Sequence, residues 1–341
     1  MSTIRELKRK GVKFEKKEKK FILTRVPSNW EGTFEVPENV IEIAESSFSE
    51  CHQIQKIIIP KSVKIIGEYA FKGCIGLQDI TIPNSVIEMG RQAFAFCENL
   101  RQIELSNSIQ KLEESTFFRC KKLQDITIPD NVTEICAGAF SGCQSLENIV
   151  IPNGIKIINK YTFKNCGQLK SIGLPDSVKC IDYQSFESCK KLQKIVMPKS
   201  LNKIEREAFY DCISLSEITI PENVRVIGFR AFGGCYHLTE LTLQSSFIFI
   251  NSYAFGCCDN LKVINTLDAN YKENLNTYRD CPWFKLLKYK DEEKAYVPKA
   301  IYLDKIKKNN EKDEYNKKQE SLKRLKEKRE QLERDQGLKN S

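Results

Sequence analysis

From Cys74 to Cys97 the chain reads Cys74-Ile75-Gly76-Leu77-Gln78-Asp79-Ile80-Thr81-Ile82-Pro83-Asn84-Ser85-Val86-Ile87-Glu88-Met89-Gly90-Arg91-Gln92-Ala93-Phe94-Ala95-Phe96-Cys97. The alternation in Ile80-Thr81-Ile82 has period two, so it predicts a short strand with one face inward. Pro83 ends that strand, because proline has no N–H to give to a neighbouring rung. Val86 and Met89 are spaced for a second, shorter extended piece facing the same interior. The stretch Glu68-Tyr69-Ala70-Phe71, and its equivalents, leaves room for about one helical turn.

The same frame returns down the chain without an insertion. Phe48, Phe71, Phe94, Phe117, Phe140, Phe163, Phe186, Phe209, Phe232 and Phe255 fall at one spacing of 23 residues. A cysteine follows each by three positions: Cys51, Cys74, Cys97, Cys120, Cys143, Cys166, Cys189, Cys212, Cys235 and Cys258. The leading aliphatic slot runs from Ile54 through Leu77 and Leu169 to Leu261, and the slot three residues after proline from Val40 to Phe247. A fixed period of this length marks a solenoid in which each coil touches only its neighbours. One coil cannot bury a Phe, several aliphatics and a Cys alone. Stacked coils do so for one another, at roughly 1.5–3 kcal/mol per large apolar side chain. Parallel strands spaced by about 4.8 Å give a stack roughly 50 Å long for ten coils.

This frame resembles the BspA-like (Treponema pallidum type) subgroup of leucine-rich repeats, whose consensus is similar to LxxIxIPxxVxxIGxxAFxxC. The match runs over residues 33–266. The fold expected is an α/β repeat solenoid, with 23-residue repeats read from the spacing. The resemblance implies a right-handed, curved stack with a parallel β-sheet along one side. It also implies recognition in place of chemistry, since family members are commonly surface antigens and adhesins. Departures are local: Ser106 and Gln244 stand where proline is expected, and only Gly67, Gly90 and Gly228 keep the glycine after the second strand.

Three segments follow. Residues 1–32 form a basic N-terminal stretch in which Val12, Phe14, Phe21, Leu23 and Val26 alternate with polar residues, as in a hairpin capping the first coil. Residues 33–289 hold the solenoid, closing in a degenerate turn with Tyr278, Cys281, Trp283, Phe284, Leu287 and Tyr289. Residues 290–341 form a charged tail. There Glu320/Arg324 and Glu330/Arg334 support a helix at i,i+4, and Leu322, Leu325 and Leu332 trace part of a heptad that Arg329 breaks. A monomer is expected, with this helix the one route to a dimer.

The formal charge of +9 points at first to nucleic acid. Its placement argues otherwise. Residues 1–20 hold nine Lys or Arg against three acids, and residues 301–341 thirteen against nine, so the two ends carry the whole excess. The body is near neutral and the ends read as solvated tails. Ten of fourteen cysteines occupy one slot of the coil. Their Cβ atoms would lie about 5 Å apart on parallel vectors, which does not suit a disulfide, so they read as small buried apolar groups. Cys136, Cys180 and Cys257 stand off the ladder.

No signal peptide, spanning helix or lipidation motif is legible, so the sequence points to a cytoplasmic location while the resemblance points to a cell surface. No metal, cofactor or small-molecule substrate is expected, because no zinc spacing and no phosphate-cradling glycine loop occurs. Of the two histidines, His237 lies near Cys235, but that cysteine fills a repeated structural slot. No catalytic residue is assigned, and the chain is not read as an enzyme.

Recognition then falls to the outward side of the first strand. Its flanking pairs include Asp125/Thr127, Asn148/Val150, Ser171/Gly173, Lys194/Val196 and Glu217/Thr219. Acidic residues mark both ends of this row, and the middle, from Asn148 to Val196, is less charged and partly apolar. The leading expectation is a protein partner of unknown identity bound to this face, by a scaffold or an adhesin. The alternative is nucleic acid or an anionic membrane surface, bound by the basic ends.

Overall fold

A computed structural model describes residues 3–245 and 248–266. They form a parallel-sheet β-solenoid of about eleven turns with a spacing near 23 residues. The degenerate last turn, Phe247 and the charged tail with its helix lie outside the described residues.

Each coil has three sides. The first carries the strands that begin with Gly32–Glu35 and end with Val263–Thr266. Their register advances one repeat per coil, as in Ile80 opposite Ile103 and Ile172 opposite Ile195. Strand interiors pair two by two over most of the stack, Asp79–Thr81 with Gln102–Glu104 and Ser171–Gly173 with Lys194–Val196, and the last three strands form one three-stranded sheet. Single bonds continue the stack between pairs, such as Gln124 N–H to the Arg101 carbonyl at 3.3 Å. The second side is another parallel ladder of two- to four-residue strands, from Val40–Ile43 to Phe249–Ile250. Two parallel ladders are thus present, the second built on the shorter extended piece read at Val86 and Met89.

The third side corrects the expected helical turn. Tyr69 and Gly73, flanking Phe71, have φ of 55° and 74°, and Gln92 and Phe96, flanking Phe94, have 52° and 61°. Two left-handed residues per coil forbid a helix. They instead turn alternate peptide planes along the stack. Tyr69, Phe71 and Gly73 donate N–H bonds of 3.0, 2.8 and 2.8 Å to the carbonyls of Arg91, Ala93 and Ala95 in the next coil. The intervening amides close turns within the coil, Lys72 N–H to Tyr69 and Cys74 N–H to Phe71. This side is a third hydrogen-bonded ladder, and it holds non-glycine residues in a costly conformation.

Inside, the phenylalanines from Phe48 to Phe255 are fully buried. Their rings stack nearly parallel, with centroids 5.6 Å apart for Phe140 and Phe163 and 5.0 Å for Phe186 and Phe209. The ladder thiols do more than fill space. Cys97 Sγ–H donates to the Phe71 carbonyl at 3.1 Å, and Cys166 to Phe140 and Cys258 to Phe232 at 3.2 Å. Each such carbonyl also accepts the N–H of the cysteine in its own coil, Cys74 for Phe71, so both lone pairs are used. Glycine is required at Gly90, where a Cβ would sit 2.5 Å from the Glu68 nitrogen of the preceding coil.

The N-terminal stretch is folded, not a solvated tail. Helix α1 (Ile4–Arg9) opens with a capping box between Thr3 and Glu6 and buries Leu7. Strands β1 (Lys13–Lys17) and β2 (Lys20–Arg25) form an antiparallel hairpin. β2 then pairs in parallel with Val40–Ile43, setting Leu23 opposite Ile43. Val12, Leu23 and Val26 are buried, and Trp30 packs edge-on to Phe34 at 5.0 Å, so the hairpin covers the first coil. The sequence showed the hairpin and not the helix.

Candidate protein-recognition face

The outward surface of the first ladder is set by strand alternation. In Ser171–Gly173 and Lys194–Val196 the middle isoleucine is buried and both flanks are exposed. Asp125, Thr127, Asn148, Val150, Ser171, Gly173, Lys194, Val196, Glu217 and Thr219 are all exposed. The coil register brings them side by side: Asp125 opposite Asn148, Ser171 opposite Lys194, Gly173 opposite Val196.

The middle of this row has a defined relief. Val150 bridges Gly173, which in turn pairs with Val196. The two valines are 80% and 63% exposed, so their methyls stand in water. A Cβ at Gly173 would meet nothing within 4 Å. The three residues make an apolar notch: two walls two rungs apart, about 9.6 Å, over a bare backbone floor. Charges beside it are already paired between coils, Lys170 with Glu147 at 2.7 Å and Lys194 with Glu217 at 3.5 Å. The rim is therefore polar with little net charge.

Other exposed features were not foreseen. The second ladder presents Ile87, Ile157 and Phe249 to solvent, with Phe249 61% exposed. Ile157 and Phe249 could be found by reading the column two residues after the Val40 slot at the same period, and Ile87 lies one residue after that slot. The turn side carries cations over aromatic rings, Arg119 between Phe96 and Phe118 and Arg206 between Tyr183 and Phe229. These rings and cations satisfy one another across coils.

The thiol and imidazole near residue 235 are separately engaged. Cys235 is buried and donates to the Phe209 carbonyl at 3.4 Å, while His237 Nδ1 lies 2.6 Å from the Ile213 carbonyl. Burial pushes the Cys235 thiol up, away from the thiolate a nucleophile needs. Cys136 and Cys180 are only partly buried, yet burial and nearby carboxylates raise them to about 12 and about 11. Among the described residues no group of three or more His, Cys, Asp or Glu could hold a metal ion. No helix among them is long and apolar enough to cross a membrane.

The profile of the BspA type leucine rich repeat region matches residues 32–147 and 135–262, with six copies. The chain belongs to the BspA type leucine-rich repeat family. BspA type repeats are a protein-interaction fold. Among solved structures, a leucine-rich repeat protein from Bacteroides ovatus is 26% identical over 78% of this chain and 82% of its own, with a TM-score of 0.48. The pneumococcal vaccine antigen PcpA is 21% identical over 82% of this chain and 90% of its own, with a TM-score of 0.51, a likeness of fold. The leucine-rich repeat protein of T. pallidum is 22% identical, covering 74% of this chain and 88% of its own, with a TM-score of 0.29. No curated protein matches the chain.

Proposed function

We propose that this BspA type solenoid is a non-enzymatic recognition protein that holds a protein partner on the outward face of its first ladder. The observation that carries this reading is the exposed Val150–Gly173–Val196 notch with its paired, polar rim. Two valines standing in water two rungs apart cost hydration that a partner's apolar side chain would relieve, as at the core of a protein interface. The floor is preformed by stacked backbone, so binding entails little ordering of this chain. Asn148, Ser171 and Lys194 border the notch, and Asp125, Thr127, Glu217 and Thr219 extend the face on either side. A scaffold and an adhesin would use the same surface, and surface labelling of intact cells separates them.

Partner capture with Val150→Glu and Val196→Glu tests the reading, followed by titration of the captured protein. Each charge placed in the notch should abolish binding without changing the melting temperature. Gly173→Leu, which fills an open space, should do the same. Retained binding in all three variants would remove the notch from the interface. Binding lost instead on deletion of residues 1–20 or 301–341, and steeply salt-dependent, would favour the alternative that acts through the basic ends.

A further inference from the structure

The folded N-terminal cap carries positive charge that its surroundings do not neutralise. Residues 1–30 hold ten Lys or Arg against three acids, four of the cations in or beside α1 and six on the hairpin. All ten are exposed. Among the described residues none lies within 4.0 Å of a carboxylate, whereas cations of the body such as Arg91, Lys111, Lys121 and Lys164 do. Of the three acids, Glu6 is held at the start of α1 by the Thr3 N–H at 2.7 Å. Glu15 and Glu18 lie on the hairpin among Lys16, Lys17, Lys19 and Lys20, and every residue from 15 to 20 is exposed.

We propose that this cap docks the end of the solenoid onto an anionic phospholipid surface. Two observations favour lipid over nucleic acid. The cations are seven lysines and three arginines. Lysine is a hydrated point charge suited to a diffuse negative field, while arginine's fork serves phosphate and base recognition. The aromatic rings of the cap are already committed, Phe14 edge-on to Phe21 at 6.4 Å and Trp30 edge-on to Phe34. Lys8 and Lys10 lie over Phe21 and Trp30. No ring is left as a platform for an unstacked base. The charges also sit on a backbone tied by the β2 pairing to Val40–Ile43, so docking need not order a tail. Each lysine brought to an anionic leaflet contributes on the order of fivefold in affinity, provided salt does not screen it.

Docking through the cap is independent of the sheet face, and one experiment keeps the two apart. The full chain is sedimented with phosphatidylcholine vesicles, with and without phosphatidylserine, at two salt concentrations. Binding should require phosphatidylserine and weaken as salt rises. The combined Lys16→Glu, Lys17→Glu and Lys19→Glu variant should lose at least about 100-fold in affinity, while Val150→Glu should bind vesicles normally. The corresponding Lys→Gln set should lose less, which separates charge from a folding defect, and melting curves check both sets. Binding that ignores phosphatidylserine overturns the proposal, as does binding unaffected by cap reversal. Loss on reversing Lys323, Arg324 and Lys326 with the cap intact would move the site to the C-terminal tail. Tighter binding of an oligonucleotide than of the vesicles at equal salt would replace lipid by nucleic acid.

Discussion

The turn side and the first-ladder side of each coil are built under opposite constraints. On the turn side nearly every position is spoken for: a buried ring, a buried thiol, a small residue before the ring, and two left-handed residues held by bonds to the next coil. On the outward face of the first ladder, only the backbone register is demanded. That face can carry Asp79, Gln102, Asn148, Ser171 or Lys194 at one column without touching the core. A stack that must keep one side constant and leaves another free can vary recognition without refolding.

Substitutions on the two sides should differ accordingly. Phe163→Ala removes a ring stacked between Phe140 and Phe186 and should cost about 3–5 kcal/mol in chemical denaturation, loosening both neighbouring coils. A loss no larger than that of a surface change would break the comparison. Two glycines sharpen it. Gly90→Ala forces a Cβ against the preceding coil and should cost about 1–3 kcal/mol. Gly173→Ala enters open space and should be neutral or stabilising by a few tenths to about 1 kcal/mol.

The thiol ladder gives a pH signature. Burial raises these thiols, Cys51 from 9.0 to about 11 and Cys97 well above 9.0. A raised value in the folded state keeps stability intact below the ordinary thiol range. Stability is then lost as pH climbs from 9.0 toward about 11, where the unfolded chain sheds protons the folded chain retains. Cys166→Ala should blunt that loss at alkaline pH, while costing on the order of 1–2 kcal/mol near neutrality from the lost bond and volume. The smallest effect is expected on the ladder face, where Thr127→Ala should stay within about 0.5 kcal/mol.

The coil frame was legible because Phe, Cys, Pro and the Ile-x-Ile alternation repeat in fixed slots, and a solenoid has few other ways to bury them. The left-handed turns were not. Gly73, Gly138, Gly142 and Gly234 occupy some of their positions, but most hold residues such as Tyr69, Gln92, Ser115, Glu207 and Arg230, which do not announce a positive φ as glycine does. The conformation is imposed by bonds between coils, which local reading misses. The thiol bonds were hidden for a similar reason, since a cysteine in an apolar slot reads as filler until its acceptor is known. Helix α1 spans six residues and buries one, too short for a period to show, although Thr3 and Glu6 carried the capping spacing. For the recognition face, alternation identified the exposed flanks. The notch depends on Val150, Gly173 and Val196 being neighbours at one register.

The amides of the turn side give the rod a direction. Ser46, Phe48 and Glu50 point their N–H groups at the carbonyls of Glu68, Ala70 and Lys72 in the following coil, and this orientation recurs along the stack. Peptide dipoles of about 3.5 D therefore add head to tail, as they do in a helix. A parallel sheet lacks this property because its groups alternate. Here the carbonyl, negative pole faces the N-terminal end, where the lysine-rich hairpin lies. The two ends of the solenoid are electrically unlike, and cations are the natural complement of the one that bears the cap.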